Sequence, residues 1–132
     1  MPPSFGLKSN FKLGLGFGGH VRFCHCTDCR KFSGSAFSAF GGVAKSLLTV
    51  SKGKSDIERF EKSEDSVLCF CKRCGSSLFS EKPLSGLIHI RLGVLAGSPS
   101  LKPQAHIFVS SKVDWYKVSD GLPQFERMPT GG

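Results

Sequence analysis

Nowhere does this chain approach the roughly 20 consecutive apolar residues that a membrane-spanning helix needs. A helical membrane protein is therefore excluded. The opening residues, Met1-Pro2-Pro3-Ser4, lack the basic start and apolar run of a signal peptide, so a cytoplasmic location is the expectation. A run of five like charges is also missing. The formal excess of +8 is scattered, with Asp56, Glu58, Glu61, Glu64 and Asp65 set among the cations. Such an excess suits a solvated surface or a basic pocket for an anionic ligand. No aromatic-plus-basic stacking patch is present, and nucleic acid is not an expected partner. With no low-complexity linker and no repeat, the 132 residues read as one domain with a modest core.

Long helix-forming runs are scarce too, whereas glycine (16) and phenylalanine (12) are plentiful. That balance predicts a mainly β fold. Residues 1–19 form an atypical Gly-rich segment in which Phe5, Leu7, Phe11, Leu13, Leu15 and Phe17 alternate with other residues. The single domain is expected over 20–132. Strands are predicted over residues 36–40, 57–60, 67–71, 77–80, 87–95 and 104–109. Turns are predicted at 31–35, at 51–54 and in the polar tip 61–66. Trp115-Tyr116 and Leu122 to Phe125 are expected to pack back on the core.

All six cysteines fall into two runs of identical spacing, Cys24-His25-Cys26-Thr27-Asp28-Cys29 and, 45 residues later, Cys69-Phe70-Cys71-Lys72-Arg73-Cys74. In a reducing compartment, cysteines are more often metal ligands or reactive thiols than disulfides. On a strand, Cys24 and Cys26 share a face, and the C-x-x-C half brings Cys29 back beside them. Three sulfurs converging in this way suit zinc, with one tetrahedral position unassigned. In the second run, Gly75 permits the positive φ of a zinc knuckle at Cys71 and Cys74. Cys69 is either a further ligand or a small buried hydrophobe. His25, between two cysteines on a strand, faces away from their metal and reads as a surface or packing residue. His89 reads as structural, and His20 reaches a metal only through a turn.

Three segments, taken in order, resemble the glutathione-dependent formaldehyde-activating enzyme family. They are Cys24-His25-Cys26-Thr27-Asp28-Cys29-Arg30-Lys31-Phe32-Ser33-Gly34-Ser35-Ala36-Phe37, Phe70-Cys71-Lys72-Arg73-Cys74-Gly75-Ser76, and Ala105-His106-Ile107-Phe108-Val109-Ser110-Ser111-Lys112-Val113-Asp114-Trp115. The likeness runs from about residue 16 to residue 129, and the centromere protein V group is a distant relative. The resemblance implies a small zinc-binding, tent-like β domain. It gives Cys24, Cys26 and Cys29 the catalytic-type zinc, and Cys71 and Cys74 half of a structural site. The family supplies the other half from an N-terminal C-x-C-G, where this chain has glycines around Gly16 to Gly19.

The implied activity is zinc-dependent addition of glutathione, or a similar small thiol, to formaldehyde or a related aldehyde, a carbon–sulfur lyase-type reaction. Arg30, Lys31 and Lys112 are then candidates for the tripeptide's carboxylates, with plain surface charge as the alternative. His106 and Trp115 are candidate pocket residues by the same resemblance. The competing reading is a non-catalytic, zinc-stabilised binding domain or thiol carrier.

Overall fold

The computed structural model describes residues 6–7, 21–48, 50–95 and 102–129. Most of the Gly-rich segment, including Gly16 to His20, lies outside the described residues, as does Pro99. Among the described residues, nine strands and one α-helix follow in the order β1 (Gly6–Leu7), β2 (Val21–Cys24), α1 (Thr27–Ser33), β3 (Ser38–Ala44), β4 (Val50–Lys52), β5 (Ile57–Ser63), β6 (Ser66–Cys71), β7 (Ser77–Lys82), β8 (Leu87–Arg91) and β9 (Ala105–Ile107). Seven of the strands form one sheet in the order β5-β6-β7-β8-β3-β2-β9, and β1 pairs with β4 in a second, two-stranded sheet. The fold is mainly β, as the sequence predicts.

Local chemistry explains the hairpins. In β6, Val67, Cys69 and Cys71 are buried and alternate with half-buried neighbours, the period-two pattern of a strand packed on one face. The turn at Glu64-Asp65 returns the chain from β5, and Gly86, at φ 74°, helps close the turn from β7 to β8. β5 lies at the sheet's edge and is mostly exposed. Its Glu58, Arg59, Glu61 and Lys62 keep that edge charged, which discourages strand addition by a second chain. The main core gathers Val43, Val67, Cys69, Cys71, Leu78, Phe79, Ile88 and Ile90.

At the other end of the sheet β2 is central. It pairs antiparallel with β3 (Cys24 opposite Ser38) and parallel with β9 (Cys24 opposite Ile107). A second apolar cluster forms there from Cys24, Phe40 and Ile107, with Cys26, Cys29, Phe108 and Phe125 packed against it.

Several expectations need correction. The turn predicted at 51–54 begins in strand, since β4 runs to Lys52, and the tip predicted over 61–66 shortens to Glu64-Asp65, since β5 runs to Ser63. The segment read as strand and turn through Cys26–Ser35 is a helix: β2 stops at Cys24, and α1 ends at Gly34 in the left-handed conformation (φ 64°). β8 ends at Arg91, where a 3-10 turn over Leu92–Val94 begins. β9 stops at Ile107 because Phe108 adopts a left-handed φ of 56°, which breaks the ladder. Trp115 is 70% exposed and does not pack on the core, although Tyr116 does meet Phe37 and Phe125 joins the second cluster.

Candidate metal centre

The three sulfurs of the first cysteine run come together. One ligand atom from each of Cys24, Cys26 and Cys29 lies within 4.8 Å of the other two, the one such group of three among the described residues. The geometry follows from the chain leaving its strand. Cys24 is the last residue of β2, and Cys26 is the N-cap of α1, its Sγ accepting the Cys29 N–H at 3.4 Å. Asp28 in the first turn, Arg30 and Lys31 in the last and Gly34 beyond it are the ordinary signals of a short helix.

Charge within the cluster is shared unequally. Hydrogen bonds from Cys24 and Cys29 pull the Cys26 thiol down to about 2. The same bonding, with burial, pushes Cys24 far above the ordinary thiol range, its contact with Cys26 contributing most. Cys29 is drawn down by Cys24, but Cys26 and burial outweigh this and push it up to about 11. Of the three thiols, Cys26 is the one whose deprotonation its neighbours favour.

A tetrahedral zinc with Zn–S near 2.3 Å needs sulfurs roughly 3.8 Å apart. A trio already within 4.8 Å fits that ion with small side-chain rotations. Cys24 is 4% exposed, and Cys26 and Cys29 are half-buried, so one side of the trio opens outward.

That side opens onto two adjoining cavities, of about 340 and 460 Å³, which share Cys26, Cys29, Phe40, Asp65, Lys82 and His89. The smaller adds Lys62, Leu68, Ser80 and Arg91, and the larger adds Arg22, Cys24, Ile107 and Phe108. Volumes of this size hold small ligands. Lys62 bridges to Asp28 at 3.0 Å, which ties β5 to α1 across the mouth. The His89 ring stacks on Phe40 with centroids 4.4 Å apart.

His25 does turn away from the sulfurs. It is fully buried, and its Nε2 meets His106 Nδ1 at 2.8 Å. His106 Nε2 in turn meets Asp120 Oδ2 at 2.8 Å. Phe37 packs against both imidazoles and Phe23 against that of His106. Burial, reinforced by His106, pushes His25 down to about 4, so at neutral pH it is uncharged. Asp120 is held below the usual carboxylate range by its bond to His106. Because Cys24 and Cys26 flank His25, this buried chain braces the junction between β2 and α1. No local pattern signals it: the two histidines are 81 residues apart, and Asp120 lies on a loop.

The other candidate residues sit elsewhere. Arg30 reaches Thr27 Oγ1 at 3.4 Å, and Lys31 is exposed on α1. Lys112 donates to the carbonyls of Val113 and Tyr116. Neither these three, nor His106, nor Trp115 lines either cavity. Cys69 is fully buried in the main core, its Sγ 3.9 Å from the Val67 carbonyl, and burial pushes its thiol up to about 11. Cys71 is buried and Cys74 exposed, on a turn closed by Gly75 N–H to Cys71 O at 2.7 Å with Gly75 at φ 79°. Among the described residues, no group of three ligand atoms forms around that pair.

Comparison with known proteins identifies the chain's relatives. The family model described as glutathione-dependent formaldehyde-activating enzyme matches residues 15–111. A Penicillium rubens protein provisionally given that name is 33% identical over 101 residues, covering 72% of this chain and 52% of its own. An Aspergillus terreus protein with the same provisional name is 30% identical over 101 residues, with the same coverage. The chain thus spans about half the length of the curated relatives it matches. The crystal structure of a Rhodobacter sphaeroides protein, 15% identical, shares the fold with a TM-score of 0.58 over 92% of each chain. This chain belongs to the glutathione-dependent formaldehyde-activating enzyme family.

Proposed function

We propose that this chain promotes addition of glutathione, or a similar low-molecular-weight thiol, to formaldehyde or a related aldehyde, as a zinc-dependent, carbon–sulfur lyase-type enzyme. The observation that carries this reading is the convergence of three cysteine sulfurs at a cavity edged with cations. Zinc held by Cys24, Cys26 and Cys29 would supply a fourth position at which a thiol is deprotonated near neutral pH.

The remaining work falls to the chain itself. Cys24 closes the buried rear of the cluster, while Cys26 and Cys29 face the space that a thiol must enter. Arg22, Lys62 and Lys82, on the cavity walls, are the cations we assign to the tripeptide's carboxylates. Phe40 and Leu68 supply apolar wall that limits water around the reacting groups. In the reaction the S–H bond breaks, sulfur bonds to the carbonyl carbon, the C=O π bond opens, and the proton ends on the new hydroxyl through water. Orientation of thiol and aldehyde within one pocket is the main source of acceleration. Cysteines as metal ligands and glutathione as co-substrate fit a reducing compartment, the cytoplasm.

The test is exchange NMR of zinc-loaded protein with carbon-13 formaldehyde and glutathione. We expect S-hydroxymethylglutathione to form faster than without protein, and Cys29→Ser to lose the acceleration while remaining folded. A zinc-loaded wild type no faster than the uncatalysed reaction sinks the formaldehyde reading and leaves a non-catalytic zinc-stabilised domain.

A further inference from the structure

A divalent metal on three thiolates carries a single negative charge, and a thiolate as fourth ligand makes it two. In a half-buried site that second charge is unfavourable unless a cation offsets it. Of the cations lining the cavities, Arg91 stands apart because it is only 8% exposed. It ends β8 opposite Phe40 of β3, and its guanidinium lies 4.9 Å from the Phe32 ring centroid and 5.8 Å from that of Phe40. Nη1 donates to His89 O at 2.9 Å and Nη2 to Ser80 Oγ at 2.8 Å, which fixes the plane of the group. Its Nε is buried without a hydrogen-bond partner.

A buried guanidinium normally faces a carboxylate. Among the described residues none lies within ion-pair distance of Arg91. Both hydrogen-bond acceptors are neutral, so they leave its charge uncompensated. Burial disfavours its charged form, the negative charge of the cysteine cluster opposes that, and with Cys26 and Cys29 it lines the smaller cavity.

We propose that Arg91 is the counter-cation that lets the three-cysteine centre accept an anionic thiolate as its fourth ligand. This rests on the reading that the centre holds a metal. As a thiol joins, its S–H bond breaks, the metal–sulfur bond forms and the proton leaves to solvent. The added negative charge stays beside Arg91. The two phenylalanine rings and the fixed hydrogen bonds hold the cation there beforehand, so no side chain need be ordered when the ligand arrives.

The experiment uses cobalt(II)-loaded wild type, Arg91→Gln and Arg91→Lys, titrated with 2-mercaptoethanol and, separately, with imidazole, and read by visible absorption. 2-Mercaptoethanol has no carboxylate, so it isolates charge at sulfur from recognition of the rest of glutathione. Arg91→Gln should weaken 2-mercaptoethanol binding by about tenfold or more. Binding of the neutral imidazole should change by less than about twofold, and Arg91→Lys should stay within about threefold of wild type for both ligands. Unchanged thiol binding in Arg91→Gln overturns the proposal, as does an equal loss of both ligands. Should Arg91→Gln not fold, a tenfold loss of thiol affinity in Arg91→Lys overturns it as well, since the charge is kept. A wild type that takes up no cobalt overturns the metal reading and the proposal together.

Discussion

The two C-x-C-x-x-C runs have one spacing and two structures. In the first, the strand ends at Cys24, and the next cysteine caps a helix that swings Cys29 back towards both. In the second, the strand continues through Cys71, so Cys69 and Cys71 project to one face and are both swallowed by the core. Only Cys74 emerges, on the tight turn that Gly75 allows. Spacing alone therefore does not make a three-sulfur centre. What decides is where the chain leaves its strand: at the first cysteine, the sulfurs converge; at the second, two of them are buried in the core. The runs are physically joined as well, since Ser77 Oγ donates to Phe32 O at 2.6 Å and ties the strand after the second run to the helix of the first.

The largest expected effect separates the runs by metal affinity. Cys24→Ser should weaken zinc binding at the first run by about a hundredfold or more, measured by chelator competition, because it removes one of three thiolates. Retention of wild-type affinity would erase the distinction between the runs.

Next in size is the bracing that the second run lacks. His106→Leu severs the chain from Asp120 to His25 and leaves His25 Nε2 buried without its partner. It should cost about 1–3 kcal/mol in urea unfolding and weaken metal binding at the first run. A loss of stability with metal affinity intact would show that the chain supports the fold and not the centre.

Beside Cys69, Glu81 is bonded to Arg59 at 2.6 Å and lies 3.8 Å from Lys45. Its hydrogen bond to Arg59 holds the carboxyl below the usual glutamate range. The folded state thus binds its proton less readily than the unfolded chain. The stability this provides is fully present above the unfolded value of about 4.3 and is lost as pH falls through the lower folded value. Glu81→Gln should cost about 1–2 kcal/mol at pH 7, with the gap to wild type closing under acid. A gap constant from pH 7 to pH 3 would assign the loss to packing.

Smallest is Cys69→Val. If Cys69 serves as a buried small hydrophobe, the change should cost about 1 kcal/mol or less and leave the metal content untouched. Loss of bound zinc would make Cys69 a ligand.

Much of the sheet was legible because β6 and β8 are short, mostly apolar runs bounded by polar turns. The first centre was legible from its cysteines alone. The helix between them was not, because its N-cap is a cysteine in place of the usual Ser, Thr, Asp or Asn, which masked the otherwise ordinary signals at Asp28 and Gly34. The chain from His25 through His106 to Asp120 was not legible because it arises only when β9 pairs in parallel with β2 and sets His106 opposite Phe23. In sequence Arg91 is one polar residue inside the strand predicted over 87–95. Its burial depends on Phe32 and Phe40, brought from two other segments. Local pattern reports periodicity and spacing, whereas these contacts depend on long-range register.

The most direct test of the account is cobalt(II) absorption of three proteins side by side: wild type, Cys29→Ser and Cys74→Ser. The wild type should show intense sulfur-to-cobalt charge transfer and visible bands that shift when glutathione is added. Cys29→Ser should lose the glutathione-sensitive bands, and Cys74→Ser should keep them. Bands that survive in Cys29→Ser and vanish in Cys74→Ser would place the thiol-binding metal at the second run and contradict the account.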